Sequence, residues 1–212
     1  MHRLPAFIIS AALCLGCCSP ADPGDFTSGE KALIHRSASG LEADAPEGTM
    51  RVLTVRDSSD LTVLRSKSSD LSAHALLSSD YKDLSRLMVA TVTHPSQDGV
   101  GIAGPQVGLN RRVVAVQRFD KDGEPFEVYP NISIVWASDS LASGPEGCLS
   151  VPDRRGDVLR STEIVIEYAD VAALSPESKE IPMVRDTIRG FAAVIFQHET
   201  DHLDGVLYID RL

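Results

Sequence analysis

Along residues 79–92 the apolar side chains Leu84, Leu87, Met88 and Val92 recur three or four positions apart, with mostly polar neighbours. That spacing predicts a helix with one buried stripe. Ser78, Ser79 and Asp80 stand just where a side-chain oxygen caps a helix start. Runs at 113–116, 126–135 and 162–168 are instead rich in β-branched and aromatic residues and are separated by Gly, Pro and Asp, which predicts strands. Near the end, Ile188, Phe191, Ala192 and Ile195 return to helical spacing. Asp186 or Thr187 is placed to cap this last helix, and Gly205 sits where a C-terminal cap belongs. Residues 51–212 therefore read as one α+β domain, with no internal repeat and no second domain.

Before Arg51 the pattern changes twice. Residues 1–18 open with Arg3 and the α-amino group, continue with an apolar run at 6–15 and end in Cys14, Cys17 and Cys18. The run is too short to span a bilayer as a permanent helix and reads as a signal peptide. The cysteine cluster predicts a lipoprotein signal in which Cys17, preceded by Leu15 and Gly16, takes the lipid. Cys14 departs from that pattern, because an aliphatic residue is usual three positions before the acceptor; an ordinary cleaved signal is the alternative. Residues 19–50 hold three Pro, four Gly and several Ser without sustained apolar periodicity, and are expected to be a flexible acidic linker. The expected location is outside the cytoplasm, anchored in the cell envelope. A translation start at Met50 would instead give a cytoplasmic protein.

Composition narrows the partners. With 43% hydrophobic residues in 212, the chain can bury one core. A net charge of −10 and the lack of any basic cluster argue against nucleic acid, and leave a lipid at Cys17 as the only expected tie to a membrane. Cys148 is the single cysteine of the body, so no disulfide framework can form there. Taken alone, it is either a small buried filler or a reactive thiol.

The last helix carries Gln197-His198-Glu199-Thr200-Asp201-His202. Histidines four apart project from one face and can share a metal ion, while Glu199 can reach a metal-bound water without ligating the metal. Two histidines that merely pack are the bland reading, and H-E-x-x-H on a capped apolar helix outweighs it. A third ligand is required. The metzincin extension fails, since position 208 is Tyr208, and too few residues follow His202 for a later helix. Among upstream groups Cys148, in Glu146-Gly147-Cys148-Leu149-Ser150, leads; His74 and His94 sit in polar surroundings typical of solvated loops. A thiolate and two imidazoles leave a fourth position for water. The glycine-rich stretch 99–106 lacks a P-loop lysine, and it suits close approach of backbone to an extended peptide, with Gln106 as an amide donor.

Taken together, Gly99-Val100-Gly101-Ile102-Ala103-Gly104-Pro105-Gln106, then Glu146-Gly147-Cys148-Leu149-Ser150, then Gln197-His198-Glu199-x-x-His202 resemble peptide deformylases in content and order. The resemblance covers residues from Arg51 to the C-terminus. It implies an α+β fold with antiparallel sheets around a central metal-binding helix, and hydrolysis of the formyl amide of N-formylmethionyl peptides. It also implies one divalent metal on Cys148, His198 and His202, namely Fe(II), with Zn(II) or Ni(II) as substitutes. Glu199 would act as general base and then acid, and Gln106 with the Leu149 N–H would hold the oxyanion. Val100, Gly101, Arg155, Val194 and Phe191 would meet substrate. Gly104, where the family has alanine, predicts a looser backbone near Gln106. The chain ends at Leu212, short of the C-terminal helix many bacterial members carry, and export departs from the family's cytoplasmic role. A metal-binding relative without turnover, and a metallopeptidase, are the rival readings.

Overall fold

The computed structural model describes residues 22–212, so the expected signal and Cys17 lie outside the described residues. None of the described helices is long and apolar enough to cross a membrane. The first element is α1, Ser28–Ala38, inside the stretch expected to be a flexible linker. That expectation is corrected for residues 22–50. Thr27 caps α1 by accepting from the Glu30 N–H, and the Glu30 carboxylate accepts from the Thr27 N–H, a reciprocal box that satisfies two otherwise free donors. Phe26, Ile34 and Met50 are buried in the same core cluster as Leu84, Leu87 and Met88. The periodicity signal failed because α1 buries only Ile34 and Ser37.

A polar latch completes the docking. The buried Arg111 guanidinium donates to both carboxylate oxygens of Glu30 at 2.7 and 2.8 Å. It also donates to the Pro23 and Asp25 carbonyls and to Ser69 Oγ. Glu30→Ala is expected to lower unfolding free energy by about 3 kcal/mol, the low end for breaking a buried pair, because the carbonyls still accept from Arg111. Chemical denaturation checks this; an unchanged midpoint would mean the segment does not brace the fold. Burial works against the Glu30 charge, but hydrogen bonds from Arg111 and Thr27 outweigh it and lower its pKa below the ordinary 4.5. The latch is therefore fully present above that value and weakens as pH falls through the lowered one.

Helices α2 (Ser58–Leu64) and α3 (Ala73–Leu77) lead to α4, Ser79–Thr93, whose N-cap is Ser78 and whose buried stripe is the expected one. A short strand β1, Gly101–Ala103, runs into a 3-10 turn at Gly104–Val107, and β2 follows at Val113–Gln117. Successive β2 side chains point to opposite faces. Val113 and Ala115 join the core beside α4, and Val114 and Val116 join a second core. The strand is covered on both sides, which is why it reads as an unbroken apolar run.

The run at 126–135 is two strands, β3 (Phe126–Pro130) and β4 (Ser133–Ala137). Asn131 divides them with a positive φ of 52°, and its side-chain amide bonds both the N–H and the C=O of Leu71. Asparagine tolerates the left-handed region, and this pairing holds it there. A hairpin that periodicity did not predict follows, β5 (Leu141–Cys148) and β6 (Val151–Ser161). It has Gly, Pro and charged residues where strand formers are usual, yet pairs in antiparallel register from Leu141↔Ser161 to Gly147↔Arg155. β7 (Glu163–Ala169) and β8 (Met183–Arg189) complete an antiparallel sheet ordered β4-β7-β8, beside the sheet β1-β2-β3.

The last helix, α5, spans Gly190–Leu203. Its start corrects the expected cap: Asp186, Thr187 and Ile188 belong to β8, and Arg189 is the N-cap without a side-chain bond. Gly190, with φ of 61°, turns the chain from strand into helix. Gly205, with φ of 73°, ends it as expected, and a Cβ there would stand 2.4 Å from the Arg65 carbonyl oxygen. Nearly every side of α5 is covered, including Ala193, Ile195, Phe196 and Leu203. The architecture is the expected α+β fold with antiparallel strands around a central helix.

Candidate active site

One turn of α5 separates His198 from His202, so their rings share a face with centroids 5.1 Å apart. Cys148 ends β5 and brings its Sγ to 3.3 Å from His202 Nε2. One ligand atom from each of Cys148, His198 and His202 lies within 4.8 Å of the others. A sulfur and two ring nitrogens at this separation suit a tetrahedral metal with one position left open. His74 bonds Asp25 and His94 bonds Ser96, each at the surface and away from this cluster.

His198 Nδ1 lies 2.8 Å from Glu146 Oε2, which turns its other nitrogen toward the cluster. Arg160 donates to both oxygens of Glu146 and to Asp201. Burial opposes the Glu146 charge, but Arg160 and His198 outweigh it and bring its pKa down to about 2. Burial likewise opposes the His198 imidazolium, while bonds with Cys148 and Glu146 push it up to about 10. A metal would have to displace that proton, so its binding is coupled to proton release. Burial, with His198 and Arg160 beside it, drives His202 well below the ordinary histidine value, in the form that ligates. Glu146 and Asp201 stand within the sequence motifs with no role that the motifs assign, and Arg160 lies outside them. They are recognisable only once β6 is paired with β5.

Glu199 is buried beside the ligands, and its Oε2 has no hydrogen-bond partner among the described residues. Burial raises its pKa to about 7, against the lowering pull of His198. A buried carboxylate oxygen with free lone pairs is costly unless it serves a polar group brought by a ligand. A Cβ on Gly101 would stand 2.5 Å from Glu199 Oε1, so the glycine makes this close approach possible.

Gln106 is oriented from both ends. Its Oε1 accepts from the Ala103 N–H at 2.8 Å, and its Nε2 donates to Ser150 Oγ at 3.2 Å and Cys148 Sγ at 3.5 Å. Gly104 does not loosen this turn: a Cβ there would lie 2.6 Å from the Arg111 carbonyl oxygen and 2.8 Å from that of Leu109. The glycine is packed against backbone, and the expected slackness is corrected. Gln106→Ala should cut turnover about 10²- to 10³-fold, the usual cost of one oxyanion donor, while metal content stays near normal. Steady-state kinetics beside metal analysis checks this, and wild-type kcat in the variant would remove Gln106 from the reaction.

A cleft of about 460 Å³ opens over these groups. Val100, Gly101, Leu149, Arg155, Phe191 and Val194 all line it. Phe191 is half exposed and its ring lies 5.2 Å from that of Phe119, so it forms a rim instead of the buried stripe expected of it.

Comparison with known proteins agrees with this geometry. A family model described as Polypeptide deformylase matches residues 50–212, which leaves α1 outside the match. A peptide deformylase of Leptospira biflexa is 38% identical over 71% of this chain and 82% of that protein. One from Halothermothrix orenii is 36% identical over 77% of this chain and 95% of its own length. Among solved structures, the Met-Ala-Ser-bound class I type b peptide deformylase from Acinetobacter baumannii is similar at a TM-score of 0.65 and 32% identity, covering 77% of this chain and 98% of that one.

Proposed function

As the chain belongs to the polypeptide deformylase family, it is a metal-dependent hydrolase that removes the formyl group from N-formylated peptides, and we propose how its residues share that work. Cys148, His198 and His202 would hold the metal, which supplies Lewis acidity toward the formyl oxygen and lowers the pKa of water. Glu199 takes a proton from the attacking water at its unpartnered Oε2 and returns it to the leaving amine. Gln106 Nε2 and the Leu149 N–H donate to the oxygen that gains negative charge. Glu146, fixed by Arg160, orients His198. Val100, Gly101, Arg155, Val194 and Phe191 contact the peptide.

The observation that carries this division is the convergence of the three ligand atoms within 4.8 Å, beside a Glu199 carboxylate whose Oε2 has no hydrogen-bond partner among the described residues. Formate release from formyl-Met-Ala-Ser, run beside unformylated Met-Ala-Ser, tests it. Cleavage of the unformylated peptide would point to a metallopeptidase, and bound metal without formate release to a non-catalytic relative. Ferrous iron is the proposed native ion, with zinc or nickel also suited to one sulfur and two nitrogens. Metal analysis of protein from its own host decides the ion.

Export and anchoring through Cys17 are part of the same proposal. The apolar run at 6–15 and the cysteines beside it support export and anchoring, while the way residues 22–49 complete the core bears only against a start at Met50, whose product would lack them. Because packing begins by Asp22, a link from Cys17 reaches at most about 18 Å when extended, far less than a 32-residue tether would. Cell fractionation with intact-mass analysis checks this: a lipid-modified product beginning at Cys17 supports it, and a soluble product beginning at Met50 rejects it.

A further inference from the structure

Every arginine among the described residues except two has a carboxylate within ion-pair distance. The exceptions are Arg154 and Arg155, neighbours on β6, and both line the cleft. In a chain with 30 acidic and 20 basic side chains a guanidinium without a partner is the unusual case. Residues 1–21 contain no Asp or Glu that could complete the pairs. Arg155 stands opposite Gly147, one residue before Cys148, and a Cβ on Gly147 would touch its Cγ at 3.6 Å and its Nε at 3.8 Å. Its side chain thus lies along the cleft wall next to the metal ligands.

The acidic groups of the cleft do not cancel these charges. Asp153 is paired with Arg56 and Glu146 with Arg160, and Glu199 is buried. Asp98 remains, one carboxylate against two guanidiniums. An N-formylated peptide brings no ammonium to this site, so its carboxylates are the groups a guanidinium fork fits. A cleft of about 460 Å³ holds a short peptide.

We infer that Arg154 and Arg155 form a carboxylate clamp that makes short formyl peptides, ending a few residues after the formyl-methionine, the preferred substrates. The inference rests on the deformylase reading and deepens it: Arg154 and Arg155 would select released peptides over the start of a long chain. The shared chemistry is a carboxylate, supplied by the free C-terminus or by an acidic side chain near it.

The test compares kcat/KM of the metal-loaded full chain for formyl-Met-Ala-Ser as free acid, formyl-Met-Ala-Ser amide and formyl-Met-Ala-Asp amide. The acid should exceed the serine amide roughly five- to tenfold, mainly through KM, as two exposed ion pairs allow. The advantage should shrink in 1 M salt. The double variant Arg154→Gln, Arg155→Gln should bring the acid-to-amide ratio close to one, and Arg154→Lys, Arg155→Lys should keep part of it. If the aspartyl amide matches the acid, the clamp reads any nearby carboxylate and the preference for released peptides is overturned; if it does not, the clamp reads the C-terminus. Equal rates for acid and serine amide, or a preference that survives the double Gln variant, overturn the clamp while leaving the deformylase reading intact. Absence of formate from every peptide would instead defeat the deformylase reading itself.

Discussion

Glu199→Gln should keep the metal and lose turnover by about 10³- to 10⁴-fold. General acid–base catalysis contributes about 10²–10⁴ per positioned group, and one that both takes and returns the proton belongs at the upper end. The amide keeps the shape of the carboxylate, so Gly101 and the α5 face need not repack, and the loss reports chemistry. Stability should hold or rise, because the native carboxylate is buried with one oxygen unpartnered and a pKa raised by burial to about 7. Such sites commonly exchange stability for activity. Formate-release kinetics, metal analysis and a denaturation curve on the same preparation check all three statements. Turnover within tenfold of wild type would exclude Glu199 as the proton carrier.

The second large effect is on the metal. Cys148→Ala, His198→Ala and His202→Ala should each weaken binding by more than about a hundredfold, since loss of an outer partner of a ligand already costs about 10- to 100-fold. Glu146→Gln, which alters the group behind His198 and weakens the Arg160 bridge but leaves all three ligands in place, should fall within that lower range. Cys148 removes the single charged ligand, so its loss should be the most severe of the three. Titration of the metal-free variants measures this. Full occupancy without Cys148 would overturn the ligand set, and equal losses for Glu146→Gln and His198→Ala would mean that His198 ligates only when Glu146 orients it.

Local information settled much of this protein. The spacing of His198 and His202 put two imidazoles on one helix face whatever the rest of the chain did, because the helical period alone sets that geometry. The α4 stripe and its Ser78 cap, and Gly205 past the end of α5, were legible for the same reason: each depends on residues a few positions apart. The order of three short motifs supplied the family and its chemistry. Distant pairings were not legible. α1 is held by Arg111, 81 positions after Glu30, and by a shared core, so its few apolar residues carried no periodic signal. The β5–β6 hairpin folds against the preferences of its glycines and charges, since backbone pairing and the buried Arg160–Glu146 bridge stabilise it from both strands. Asn131 broke one predicted strand into two by bonding Leu71, 60 positions away, and the start of α5 moved because β7 claimed residues 186–188 as a strand partner. Motif content placed Cys148, Glu199 and Gln106 in one site. Their distances, the unpartnered oxygen of Glu199 and the free pair Arg154 and Arg155 required the folded chain, because burial and ion pairing depend on which remote segments come to lie against each residue.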